Sequence, residues 1–242
     1  MHYYLAPMAP PPSDLQALLA ELFDAERAVR HAHGELAEKE PKTLLPALEK
    51  AITDSLENDD EDERALRLVR IAALLGELDG PIVVDLLIDI LGGADPEARH
   101  AAGEALEDHA YDRFKEVALG VERALERLPA GNVALVELPY LLADIPEGGV
   151  LKLLDRFLSH KDAETVAAAI EAIVEFGDPT AAPMLARLEK DARNVQLEDD
   201  EGEEGRVTLG ELATEARQLL AGLLPAPPSS DGRGSGAGAT KK

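Results

Sequence analysis

The sequence predicts an all-α fold, an α-solenoid of about five helix pairs followed by one C-terminal helix. Three observations carry the prediction. Asp79, Asp112, Asp144 and Asp178 recur at intervals of 33, 32 and 34 residues, each in a short break between two apolar helical stretches. The flanks repeat as well, Gly76-Glu77-Leu78-Asp79-Gly80-Pro81 being echoed by Glu175-Phe176-Gly177-Asp178-Pro179. A period of this length with one helix pair per unit marks architectures in which each unit stacks on its neighbours. Finally, hydrophobic residues make up 45% of the chain but aromatics only 3%, with no Trp. Ala and Leu supply the apolar content, which suits helices packed closely through small side chains and disfavours a β-sandwich.

Residues 1–13 hold four of the 16 prolines and read as a Pro-rich N-terminal arm. Ser13-Asp14 is a helix N-cap signal. The first helix is expected from there to about Glu38, with Leu15, Leu18, Leu19, Leu22 and Val29 as its apolar stripe. Pro41 interrupts, and a second helix follows through Leu44, Leu45, Leu48 and Ile52, with Pro46 acceptable only in its first turn. An acidic loop at 57–63 precedes the second pair. That pair comprises a helix through Leu66, Val69 and Leu75, then one opened by Pro81 and ended by Gly92-Gly93 in left-handed C-cap geometry.

Asp95-Pro96 starts the third pair, expected to turn near Ala110 and to continue through Phe114, Val117, Val121 and Leu125. In the fourth, Pro139 should kink the first helix and Pro146 should open the second. Asp162 caps the fifth pair, and Pro179 starts its second helix. A further acidic loop near 198–206 leads to a terminal helix from about Thr208 to Leu223. The helical array thus occupies 14–224. From 225 to 242 the chain is mostly Pro, Gly, Ser and Ala, with almost nothing to bury, the composition of a disordered tail.

Charge narrows the function. Against 48 Asp+Glu stand 24 Lys+Arg, a formal −24. Such a field repels nucleic acid and anionic membranes and attracts basic protein surfaces. The absence of Cys excludes disulfides, thiolate metal sites and a cysteine nucleophile. Met1-His2-Tyr3-Tyr4-Leu5-Ala6-Pro7 lacks the basic and apolar regions of a signal peptide. No stretch approaches the ~18 apolar residues of a transmembrane helix. The expectation is a cytoplasmic chain.

Within about residues 60–190 the motifs acquire a family likeness. Asp95-Pro96-Glu97-Ala98-Arg99-His100-Ala101-Ala102 resembles the first-helix opening of the HEAT-repeat family, including its bacterial phycobilisome-lyase-like branch. Val69-Arg70-Ile71-Ala72-Ala73, with Leu78-Asp79-Gly80-Pro81, is similar to the same motif and its following turn. Gly177-Asp178-Pro179-Thr180-Ala181-Ala182-Pro183-Met184-Leu185 resembles the turn and second-helix opening. The fifth pair departs by carrying Ala167 where the family has arginine, and the fourth matches weakly. The resemblance implies that second helices line a concave face. On it would lie Asp85 and Asp89, then Lys115, Glu116 and Glu122, then Lys152, Asp155 and Arg156, then Arg187. Asp85, Asp89, Glu116, Glu122 and Asp155 are the candidate partner-binding residues.

Catalytic signals fail one by one. The resemblance raises a HEAT-like di-iron enzyme, deoxyhypusine hydroxylase, whose ligands are adjacent His-Glu pairs. None of the six histidines here is followed by Glu, and Ala101 follows His100. A single Glu97-x-x-His100 lacks the second copy that a di-iron bundle needs. His31 and His33 fall on different helix faces. No base–nucleophile pair or helix-opening phosphate loop is present. Asp200 to Glu211 partly matches a calcium loop, with Glu204, Gly205, Thr208 and Glu211 in register, but Gly202 stands where a carboxylate is required, so a solvated acidic linker is expected.

No catalytic, metal or cofactor residues, and no cofactor, are therefore expected. The leading function is a non-enzymatic scaffold or adaptor that holds a basic protein segment on a curved acidic surface. The alternatives are an immunity or antitoxin-type inhibitor of a basic nuclease, and a HEAT-like lyase or chaperone acting on a cofactor-bearing protein. A toxin-like nuclease gene next door would favour the first alternative; bound metal or chromophore would favour the second.

Overall fold

The computed structural model describes residues 12–198 and 204–223. The expectations for the N-terminal arm, the tip of the second acidic loop and the tail lie outside those residues. The described chain is mostly helical. Its helices are α1 (Pro12–Ala37), α2 (Pro41–Leu56), α3 (Glu61–Gly76), α4 (Pro81–Leu91), α5 (Pro96–Arg127), α6 (Ala134–Ala143), α7 (Val150–Phe157) and α8 (Ala163–Phe176). A short α9 (Ala182–Leu185) lies between two 3₁₀ turns, Pro179–Ala181 and Ala186–Leu188. An antiparallel hairpin, β1 (Asn194–Glu198) and β2 (Glu204–Thr208), leads into α10 (Leu209–Gly222).

Side-chain capping sets the starts of α3, α5, α8 and α10. Asp60, Asp95 and Asp162 each accept a hydrogen bond from the backbone N–H three residues on. Thr208 and Glu211 form a reciprocal capping box. Gly80, at φ 119°, supplies a backbone conformation that turns the chain into Pro81.

Several boundaries differ from expectation, for local reasons. α1 begins at Pro12, so Ser13 and Asp14 fall in its first turn instead of capping it. α2 begins at Pro41, which leaves Pro46 inside the helix, unable to donate to the Lys42 carbonyl. The acidic loop at 57–63 is shorter: Glu61, Asp62 and Glu63 already form the first turn of α3, where the helix dipole favours them. Gly92 ends α4 with right-handed angles (φ −77°, ψ −2°), not left-handed ones. A Cβ there would lie 2.7 Å from Asn132 Oδ1, so a larger residue would displace the Asn132 side chain from its bond to the Ala134 N–H. The turn expected near Ala110 falls at Arg113 (φ −144°, ψ 50°), where α5 breaks into two helical halves across a kink, the second beginning at Phe114 as expected. Pro146 sits in the turn before α7 instead of opening it. The second acidic loop rises from a hairpin in which Val195 is buried opposite half-buried Val207, while Gln196 and Arg206 face outward.

Packing links consecutive elements. α3 and α4 both rest on α5, α6 rests on α8, and α7 touches α5, α6 and α8; α10 covers α8 and α9. One continuous apolar core runs from Leu44 to Leu220, with Leu68, Leu87, Leu106, Leu138, Leu154 and Phe157 wholly buried. His109 is buried among these helices. Its ring Nε2 lies 2.9 Å from the Leu78 carbonyl, so as the protonated nitrogen it donates there and ties α5 to the α3–α4 turn. α1 stands apart. None of residues 14–37 is buried, and it meets the body through His33, whose Nε2 lies 3.0 Å from Glu77 Oε1, and through Ala37 against the core.

Candidate functional site

Four of the five acidic residues expected to receive a partner are already answered from within the chain. Arg123 Nε donates to both carboxylate oxygens of Asp85 at 3.1 Å, and Arg127 Nη1 donates to Asp89 at 2.6 Å. One hairpin further on, Arg156 Nη1 donates to Glu122 at 2.9 Å. Arg187 Nη2 then meets Asp155 Oδ1 at 2.8 Å, and Arg217 pairs with Glu189. Each arginine reaches back to the preceding unit, so the ion pairs form a ladder along α4, the second half of α5, α7, the turn after α9, and α10. Arg127 and Arg187 also bond backbone carbonyls, those of Asp85 and Asp155.

The ladder alters the electrostatics of that face. Asp85, Asp89, Glu122 and Asp155 are each matched by a guanidinium, which leaves little unanswered charge there for a basic ligand. Burial outweighs the pull of Arg127 and holds the Asp89 carboxyl above its usual range, with the Asp85 and Glu49 charges adding to the effect. Glu116 lies off the ladder, half-buried, with Oε1 unpartnered among the described residues. Half-exposed pairs of this kind contribute about 0–1 kcal/mol each. Lysines at positions 85 and 89 would face Arg123 and Arg127 directly. Asp85→Lys/Asp89→Lys is therefore expected to lower stability by roughly 1–2 kcal/mol while leaving helicity intact at low temperature. An unchanged thermal midpoint would show that the ladder carries no stability.

Unanswered negative charge gathers elsewhere, in a groove of about 450 Å³ between the first half of α5 and α6. Gly103, Leu91 and Leu141 give it an apolar floor, and Glu104, Glu107, Glu137 and Asp144 line its sides. Arg99 is the arginine of this groove; it lies 3.8 Å from Glu137 and donates to the Gly93 and Ala94 carbonyls. His100 sits 3.5 Å from Glu104. Among the described residues no Lys or Arg reaches Glu107 or Asp144. The Glu107 carboxyl is accordingly held above its ordinary range, first by burial and then by the charges of Asp144, Glu104 and Asp108. Tyr140 closes one side. Its hydroxyl donates to Glu171 Oε2 at 2.5 Å, and burial together with that bond pushes its ionisation well up.

The sequence reading overlooked this groove because it followed second helices only. Its residues lie on first helices, three and four apart along α5, a spacing that reads equally well as a solvated polar face. The Glu97-x-x-His100 pair does not assemble: His100 turns to Glu104 instead. The calcium-loop match also fails where it is described. Gly205, Val207 and Thr208 are strand residues, and the Glu211 carboxylate accepts from the Thr208 N–H at 2.8 Å and from its hydroxyl at 2.7 Å. Among the described residues no group of three His, Cys, Asp or Glu is placed to hold a metal ion, and no helix is long and apolar enough to cross a membrane.

No family model and no curated protein matches the chain. Among solved structures, the chain is similar to an engineered protein at 19% identity, over 80% of this chain and 90% of the other, with a TM-score of 0.32. A likeness that loose carries no argument for fold or function.

Proposed function

We propose that this chain is a non-enzymatic interaction adaptor, a HEAT-like α-solenoid that holds a basic protein segment in the groove between α5 and α6. The observation that carries the reading is the contrast in charge compensation. Asp85, Asp89, Glu122 and Asp155 are matched by arginines, whereas Glu107 and Asp144 line a groove whose arginine, Arg99, is engaged by Glu137 and by the Gly93 and Ala94 carbonyls. A lysine or arginine side chain entering there would meet carboxylates already crowded by one another and would relieve their repulsion. The apolar floor would receive its methylene stem. The overall −24 charge would steer such a segment toward the chain.

A lysine-rich peptide titrated by calorimetry tests this. Glu107→Gln/Asp144→Asn is expected to weaken binding roughly tenfold, about 1.4 kcal/mol. Removing equal charge at Asp59 and Asp62 should cost far less. Equal losses from both sets would reduce the effect to nonspecific attraction and end the proposal. The pH dependence has a definite sign. Because the Glu107 carboxyl is held above its usual range, it takes up its proton at higher pH than an ordinary glutamate. Affinity should therefore decline early as pH falls, and Glu107→Gln should remove that early decline.

A further inference from the structure

α1 carries an apolar face that the described residues of the chain leave uncovered. Leu15, Leu18, Leu19, Leu22 and Phe23 are each between 49% and 60% exposed. At 3.6 residues per turn, Leu15, Leu19 and Leu22 lie on the same side of the helix as His33 and Ala37, which touch the body. The contact face thus runs on past the body with nothing beneath it among the described residues. Scattered exposed leucines are ordinary, but five large apolar side chains within nine residues form a contiguous patch.

The spacing is that of a helix-pairing seam. Leu15, Leu22, Val29 and Leu36 fall seven residues apart, and Leu18, Ala25 and Ala32 each follow three residues after the first three of them. All seven positions are exposed. An a/d pattern sustained over three heptads is what two helices need to interlock, and the alanines allow close approach. We propose that α1 of one chain pairs antiparallel with α1 of a second copy, making the protein a two-fold dimer.

Area and charge both point to a second copy in that orientation. Covering the exposed face on both chains removes on the order of 1,000 Å² from water, the size at which a specific interface begins. A parallel pair would set Glu21 of each copy beside Glu26 of the other, two like-charge contacts. Turned antiparallel, with Leu18 against the second copy's Val29 and Leu22 against its Ala25, Glu21 faces Ala28 and Glu26 faces Leu19. The like charges that meet, Asp14 and Glu35, lie at the exposed ends of the seam, where solvent screens them. Glu26 also keeps its own Arg30, whose Nε lies 2.8 Å away. The contact is isologous and closes on itself, so it stops at two chains.

Sedimentation over a concentration series tests the dimer. The full chain should move from 25.9 kDa toward twice that mass as concentration rises, more readily at moderate than at low salt because salt screens the repulsion of two acidic bodies. Leu18→Glu/Leu22→Glu should remain a monomer with the body's melting unchanged, since that half of α1 lies off the body. The chain has no native Cys, so orientation can be read directly. A mixture of Leu18→Cys and Val29→Cys chains should cross-link on oxidation, while Leu15→Cys alone should not. A wild-type monomer at every concentration overturns the proposal. So does a monomer whose Leu18→Glu/Leu22→Glu variant melts lower, which would assign the face to residues 1–11 of the same chain. Cross-linking of Leu15→Cys to itself would overturn the antiparallel arrangement.

Discussion

Phe157→Ala is expected to be the most damaging single substitution, lowering stability by about 3–5 kcal/mol. Phe157 is wholly buried and ends α7, an eight-residue helix held between α5, α6 and α8. The chain has four Phe and no Trp, and the surrounding core is almost entirely Ala, Leu, Val and Ile. Staggered aliphatic side chains cannot reorient to fill the space of a ring, so most of the cavity would persist. Phe157→Leu should cost much less because it keeps most of the volume. Urea denaturation compares the two. Equal midpoints for Ala and Leu would show that the site collapses freely and that α7 is not a close-packed centre.

Gly120→Ala should destabilise by about 1–3 kcal/mol, against its helix propensity. At an exposed helical position the same change would stabilise by roughly 1 kcal/mol. In α5, however, a Cβ at residue 120 would lie 2.3 Å from Val84 Cγ1 and 3.2 Å from Val84 Cβ. Val84 is wholly buried in α4 and stiff about its Cα–Cβ bond, so neither helix can yield by a simple rotation. Shortening Val84 should relieve the clash. Gly120→Ala/Val84→Ala is expected to be more stable than the sum of the two single losses predicts, a coupling that a double-mutant cycle reads directly. Simple additivity would mean that α4 and α5 do not approach as closely as the structure places them.

The legible parts of this chain are those written in local chemistry. Asp60, Asp95 and Asp162 announce helix starts because a short carboxylate satisfies free N–H groups wherever it stands. Apolar residues at helical spacing give the number of helices and their faces. The β-hairpin was not legible: each strand is only five residues long and set in an acidic stretch, and the alternation Val195-Gln196-Leu197 is too short to establish a period of two. The break inside α5 was legible to within three residues, but what holds its two halves was not. Tyr111 donates to the Asp144 carbonyl and Arg113 pairs with Asp79, contacts about 33 residues away that anchor the kink to neighbouring turns.

Taken alone, the sequence determined the helical class, the order and approximate bounds of the helices, and the acidic charge, because each follows from neighbours within a turn or two. Tertiary structure decided which acids keep free charge. Asp85 and Glu107 are indistinguishable in the sequence, yet one meets Arg123 from 38 residues away and the other faces a groove beside Asp144. Charge compensation between helices depends on which faces pack together. That is a property of the assembled helices and of no single one.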